Sequence, residues 1–279
     1  GIGLMMFCLR MNEINVNGIY GDIIERVMYN VFLSSTSLDG KSFFYENPLE
    51  ICRKEKDKET AVLSARRPIL PIWKRKEVFD CSCCPPNVNR FMASFANVIY
   101  TGTDEGVYVN QFVSSKYDSL EIKTNYPDDG AVKITAKGYK YKSLFVRVPG
   151  WVEKYNFEIN GEEIDAKVVD GYAKIPMTTD CVIKYNLSFK PEFIEANPNV
   201  RDNAGRVCLV NGPMVYCLEE VDNGSELNAL SVKADKNTVI ASSFDNELGV
   251  KVLNVNGYRR VQGELSPLYS KEFKKVETN

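Results

Sequence analysis

Cys81-Ser82-Cys83-Cys84-Pro85-Pro86-Asn87 sets three thiols within four positions, directly ahead of a proline pair. Proline is cheap at the start of a helix, where the N–H groups lack partners anyway, so the motif places Cys83 and Cys84 at a helix N-terminus. The dipole there favours anions and therefore thiolates. Adjacent cysteines rarely bridge each other, because the ring is strained, yet both can reach one soft metal ion. The chemistry on offer is a thiolate nucleophile, a metal site, or both. A plain buried apolar corner accounts poorly for three cysteines beside two prolines. Zinc is the natural metal for thiolates joined by a carboxylate, and a tetrahedral site asks for four ligands. The 279 residues contain no histidine. Within this chain, that excludes Ser-His-Asp and Cys-His catalysis, His-Glu-x-x-His metalloproteases and Cys/His zinc fingers.

A second group is Phe43-Phe44-Tyr45-Glu46-Asn47-Pro48-Leu49-Glu50-Ile51-Cys52. Alternation puts Phe43, Tyr45 and Asn47 on one face, with Phe44 and Glu46 on the other. Aromatics beside carboxylates suit a sugar-binding wall, although taken alone such a strand reads as core. The third candidate is Glu25, with Met28, Tyr29 and Phe32 at i+3, i+4 and i+7. A carboxylate on so apolar a face either pairs at the rim or points into a cavity. The plain alternative is a first-turn glutamate favoured by the helix dipole.

The elements that must carry these residues are helical first and extended later. Ile2, Met5, Met6, Leu9 and Met11 make one apolar helical face, and Ile23, Ile24, Val27, Met28 and Val31 make a second, with Asp22 as the expected N-cap. Leu38-Asp39-Gly40-Lys41 is a hairpin-type turn into a strand at Ser42–Tyr45. A third helix runs from Pro85-Pro86 through Phe91, Phe95, Val98 and Ile99. After Gly102 the period changes to 2, with Val107 and Val109, Leu120 and Ile122, Val132 and Ile134, Leu144 and Val146, and Val182 to Leu187. Asn160-Gly161 is a strong hairpin signal. The expected class is α+β and multidomain: helices over 1–102, a β-sandwich over 103–196, and a second sandwich or its continuation over 197–279.

Composition is that of a folded protein, with 44% hydrophobic and 26% charged residues and a net charge of −2. No nucleic-acid partner is implied. No apolar run is long enough to cross a bilayer as a helix, so no membrane partner is expected. Eight cysteines invite a disulfide reading, but Cys81, Cys83 and Cys84 crowd too closely for ordinary bridges, while Cys8, Cys181, Cys208 and Cys217 lie in apolar runs. Thiols of this kind favour a reducing compartment, the cytoplasm ahead of the periplasm or exterior. The chain opens Gly1-Ile2-Gly3-Leu4 without a basic leader and reads as a piece of a longer protein.

The order of motifs carries a resemblance. Tyr20-x-Asp22-x-Ile24-Glu25-Arg26 with Tyr29-Asn30, then Leu38-Asp39-Gly40, then Phe43-Phe44-Tyr45-x-Asn47-Pro48-Leu49-Glu50, then Cys81-x-Cys83-Cys84-Pro85-Pro86-Asn87, resembles glycoside hydrolase family 127, the β-L-arabinofuranosidases and their relatives. Arg147-Val148-Pro149-Gly150-Trp151, Asn160-Gly161 and Asn211-Gly212-Pro213-Met214-Val215-Tyr216 resemble the family's sandwich motifs. The resemblance implies part of an (α/α)₆ barrel followed by β-sandwich domains, and a retaining glycosidase acting on an arabinose-containing glycan. It implies Cys83 as a zinc-bound nucleophile, Cys84 as a second zinc ligand, and Tyr45 and Glu25 at the sugar. The family's Glu-x-Cys ligands and its acid/base glutamate would fall ahead of residue 1, so an incomplete zinc site and an inactive isolated chain are expected. Partial barrel faces at Met5, Met6, Val27 and Met28 are expected to drive self-association. Two alternatives stand beside this reading: a non-catalytic carbohydrate-binding or structural sandwich module, and a structural zinc site of Cys52, Cys81, Cys83 and Cys84.

Overall fold

The computed structural model describes residues 1–45, 75–78, 83–246, 248–261 and 272–278. Two compact units divide the chain, Gly1–Phe189 and Lys190–Asn279. It is a mixed helical and sheet protein with several separate sheets.

The first unit begins with α1 (Ile2–Ile14) and α2 (Gly18–Val27), the latter running into a π-helical segment, Met28–Leu33. The N-cap of α2 is Asn17, whose side chain accepts from the Ile19 N–H at 3.0 Å, and Asp22 lies inside the helix. The Asp22 cap expected from sequence is corrected on that ground. The third helix is broken at Ser94 and Phe95 into α3 (Cys84–Ala93) and α4 (Ala96–Ile99). Met5, Cys8, Ile24, Met28, Phe91 and Val98 form a buried apolar cluster between these helices. Met5 and Met28, expected to lack neighbours, are therefore core. Met6 and Val27 are half-buried, and the exposed apolar side chains of the described helices are Leu4, Phe7 and Ile14 on α1, Ile19 on α2, Val31 and Leu33 beyond it, and Met92 on α3.

From Tyr100 onward the unit is a sandwich. Its strands are β1 (Tyr100–Gly102), β2 (Gly106–Val109), β3 (Ser115–Tyr117), β4 (Leu120–Thr124), β5 (Ala131–Lys137) and β6 (Ser143–Arg147). They continue as β7 (Lys154–Ile159), β8 (Glu162–Ile164), β9 (Val168–Val169), β10 (Tyr172–Pro176) and β11 (Asp180–Ser188). One sheet runs β1-β2-β6-β10-β9 and the other β3-β4-β5-β11-β7-β8. All pairs are antiparallel except β2 with β6, which the excursion through β3, β4 and β5 makes parallel. Asn160 and Gly161 close the β7–β8 hairpin at φ 52° and 94°, the doubly positive geometry of a type I′ turn. Val107, Val109, Leu144, Val146 and Ile175 of one sheet share a core with Leu120, Ile122, Val132, Ile134 and Ile183 of the other.

Strand β6 is buried along its whole length. Leu144 and Val146 face the sandwich core, so by alternation Phe145 and Arg147 lie on the opposite face of the sheet. Tyr108 stacks on Phe145 at 4.2 Å, and α2 covers Arg147. The helical segment is thereby seated on the sandwich.

The second unit is β throughout its main elements. Its strands are β12 (Pro191–Glu195), β13 (Val207–Asn211) and β14 (Met214–Tyr216) in one antiparallel sheet. The other sheet is built around β17 (Val250–Val261), which pairs with β15 (Leu230–Val232), β16 (Ile240–Asp245) and β18 (Glu272–Thr278).

Candidate functional site

Helix α3 opens at Cys84, with Cys83 as its N-cap residue and both prolines inside the first turn. The motif thus places its thiols at the helix N-terminus as the sequence requires. The two sulfurs stand 3.9 Å apart; Cys83 is exposed and Cys84 half-buried. Two sulfurs each about 2.3 Å from a tetrahedral zinc would be about 3.8 Å apart, so the pair fits two corners of such a site. Among the described residues, no group of three or more His, Cys, Asp or Glu side chains could hold a metal ion. Cys83 and Cys84 are two donors and not a complete set. Cys52 and Cys81, needed for a four-thiolate site, lie outside the described residues. Of the remaining cysteines, Cys8 and Cys181 are buried as small hydrophobes, whereas Cys217 is exposed despite its apolar run.

What directs α3 is Phe91, seven positions after Cys84 and without solvent exposure. Its ring meets Phe32 edge-on at 5.1 Å and Phe95 at 5.8 Å. Phe32 comes from the π-helical segment, so α3 is held by the same stretch that follows Glu25.

Tyr45 is half-buried at the end of the described turn region. Residues 37–42 form the expected tight turn: the Ser37 N–H donates to Ser42 O at 2.8 Å, and Gly40 sits at φ 69°. The strand expected over Ser42–Tyr45 is reduced to isolated bridges of Phe43 with Thr36 and Lys76. Arg75 lies over the Phe44 ring at 4.4 Å and donates to Ser34 O at 2.7 Å. Glu46, Asn47 and Glu50 lie outside the described residues.

Glu25 is buried completely, past the first turn of α2 and ahead of the π-helical segment into which that helix continues. The first-turn explanation is therefore replaced by a specific partner. Arg147 Nη2 donates to Glu25 Oε1 at 2.8 Å, and the Tyr126 hydroxyl donates to the same oxygen at 2.8 Å. Glu25 Oε2 is buried and has no hydrogen-bond partner among the described residues. Burial pushes the Glu25 carboxyl above the usual range, against the opposing pull of Arg147 and Tyr126. The Tyr126 phenol is raised as well, by burial and by the neighbouring carboxylate.

Arg147 was legible only as part of a motif, and the structure makes it the hub of this junction. Its guanidinium is wholly buried, pairs through Nη1 with Asp22, and donates from Nε to Asn110 O at 2.5 Å. It lies 5.3 Å from the Phe112 ring centroid. Asp22 Oδ2 accepts from the Gly150 N–H at 2.9 Å, and Gln111 Nε2 donates to Gly21 O at 2.8 Å. A Cβ on Gly21 would stand 2.5 Å from Arg147 Cδ, so only glycine lets α2 approach this closely. The Tyr20 to Arg26 motif and the Arg147 to Trp151 motif are thus each other's binding partners.

Residues 1–97 match the family model for the β-L-arabinofuranosidase GH127 catalytic domain, residues 106–183 the GH127 middle domain, and residues 191–271 the glycoside hydrolase family 127 C-terminal domain. A non-reducing end β-L-arabinofuranosidase of Bifidobacterium longum subsp. longum is 32% identical over 243 residues, covering 81% of this chain and 36% of that protein. A solved GH127 β-L-arabinofuranosidase from Geobacillus stearothermophilus T6 superposes with a TM-score of 0.85 at 34% identity, over 99% of this chain and 45% of its own. A solved GH127 β-arabinofuranosidase gives 0.82 at 26% identity, over 99% of this chain and 45% of its own. The chain spans about a third of the curated relative's length and under half of these solved ones.

Proposed function

The chain belongs to glycoside hydrolase family 127, and from that premise we propose that it contributes the nucleophile and two zinc ligands to a retaining β-L-arabinofuranosidase. The observation that carries this reading is the pair of sulfurs 3.9 Å apart at the start of α3. Helices α1 to α4 are read as turns of an (α/α)₆ barrel, and the substrate as an arabinose-containing glycan.

Cys83 and Cys84 would hold zinc through their thiolates. A zinc ion held there would lower the thiol pKa and so supply a thiolate at neutral pH. Cys83 Sγ then attacks the anomeric carbon: the C–S bond forms as the glycosidic C–O bond breaks, and a proton must reach the leaving oxygen. Water attacks the same carbon in the second step, the C–S bond breaks, and two inversions give net retention. Tyr45 faces the sugar in this reading. Glu25, buried against Arg147 and Tyr126, supports the site from behind rather than by contact.

The 279 residues by themselves are proposed to lack both the proton donor and a full ligand set, and so to be inactive alone. A second copy of the chain is proposed to cover the apolar face around Leu4, Phe7 and Ile14. The test of function is a chimera with the N-terminal portion of the Geobacillus relative ahead of residue 1. It should bind zinc stoichiometrically and release L-arabinose from a β-L-arabinofuranoside with retention, read by NMR of the first-formed anomer. Inverted product, or turnover unaffected by removing zinc, would reject the mechanism.

A further inference from the structure

We propose that Arg147 is a positioning residue for the Cys83–Cys84 pair, acting across α2 and through Phe91. The purpose assigned to that positioning rests on the nucleophile reading above; the mechanical coupling itself does not.

Arg147 belongs to the sandwich, yet its partners are on the helical segment. Asp22 and Glu25 both take hydrogen bonds from it, and Gly21 packs against its aliphatic stem. These three residues make the sandwich-facing side of α2. On other sides of the same turns, Ile24 and Met28 enter the helical cluster that contains Phe91. Phe91 is in turn held by Phe32 and Phe95. Tyr29 and Phe95 pack against both the helical cluster and the sandwich core, so the two cores share contacts at this point.

Lever length decides why this matters. Seven residues separate Phe91 from Cys84, which at 1.5 Å per residue is about 10 Å of helix. A tilt of α3 by about 6° about Phe91 would move its thiol end by about 1 Å, and a displacement of that size can lower a rate by about 100-fold. Removing Arg147 leaves the Asp22 and Glu25 carboxylates facing the junction without their cation. Helix α2 relieves this by withdrawing from the sandwich, and Phe32 and Phe91 follow.

The test is backbone hydrogen exchange on the 279-residue chain, with cadmium binding to the thiols followed by thiolate absorption. In Arg147→Met, amides of α2 and α3 should exchange at least about tenfold faster while those of β5 and β11 change by less than about twofold. Cadmium affinity should fall by about fivefold or more. Arg147→Lys should recover part of both effects, because it restores charge but not the fork of donors. Ile134→Val, which trims the sandwich core, should leave cadmium affinity unchanged. If Arg147→Met does not fold, Glu25→Gln carries the test, with a rise in α3 exchange of about threefold and β5 unmoved. Unchanged α3 exchange in the folded variants, or parallel acceleration of α3 and β5, would overturn the proposal. Cys83→Ser should leave α3 exchange within about twofold of the parent, so a failure of the nucleophile reading appears in the chemistry and not in this measurement.

Discussion

Glu25 and Arg147 lie 122 positions apart, have no solvent exposure, and are joined by a 2.8 Å hydrogen bond between opposite charges. Taking two ions out of water is costly, and their attraction offsets that cost only with good geometry and further hydrogen bonds. Among the described residues, Arg147 has those further bonds, to Asp22 and Asn110, and Glu25 has one, from Tyr126. The two partners are therefore unequal.

That inequality predicts an asymmetry in stability. Arg147→Met strands two carboxylates and should cost the helical segment about 3–5 kcal/mol of local stability, with the sandwich strands unaffected. Glu25→Gln keeps an acceptor for both donors and should cost about 1 kcal/mol or less. Hydrogen-exchange free energies of the α2 amides at pH 7 measure both, and equal costs would contradict this asymmetry.

The pH dependence follows from the raised Glu25 carboxyl. Between the unfolded and folded pKa values, the folded state keeps a proton that the unfolded chain releases, so stability falls as pH rises. The stabilisation is fully present below the unfolded value of about 4.3 and is lost as pH climbs through the higher folded value. The stability of the parent relative to Glu25→Gln should accordingly decline as pH increases from 4 upward. A relative stability that grows with pH would mean that Arg147 outweighs burial.

Phe91 is the keystone of the helical cluster, wholly buried between Phe32 and Phe95. Phe91→Ala should cost about 3–5 kcal/mol, and Phe91→Leu, which keeps most of the volume, about 1.5 kcal/mol or less. Hydrogen exchange in α3 should track the larger loss. A mild Phe91→Ala would show that α3 is held by something else.

Self-association is predicted through Leu4, Phe7 and Ile14, which are 47%, 59% and 79% exposed on α1. Sedimentation velocity should find the parent chain larger than a monomer and Phe7→Glu shifted toward monomer. A parent that sediments as a monomer would reject this contact.

Much of the fold was open to reading because its signals are local. Two-residue alternation marks β5 and β11, and Asn160-Gly161 dictates its own turn. The doubled proline before Asn87 sets the start of α3 and so the location of both thiols. What stayed hidden depends on distant partners. Nothing near Glu25 announces Arg147, and without that partner an apolar-faced glutamate reads equally well as a cap, a rim ion pair or a pocket residue. Asp22 looks like an N-cap for the same reason: its bonds to Arg147 and the Gly150 N–H are made across the fold. Met5 and Met28 appear exposed only if Phe91 is not known to fill the space beside them.

If Cys83 is the nucleophile, its sulfur becomes bonded to the sugar in the first step. The chimera is incubated with a 2-deoxy-2-fluoro β-L-arabinofuranoside bearing an activated leaving group, so that the fluorine slows both steps while the leaving group restores the first, and the adduct is located by peptide mass spectrometry. One fluoroarabinosyl mass is expected on the peptide containing Cys83, located on that sulfur, and none in Cys83→Ser. An adduct on a carboxylate or on Cys84, or full turnover by Cys83→Ser, would contradict it.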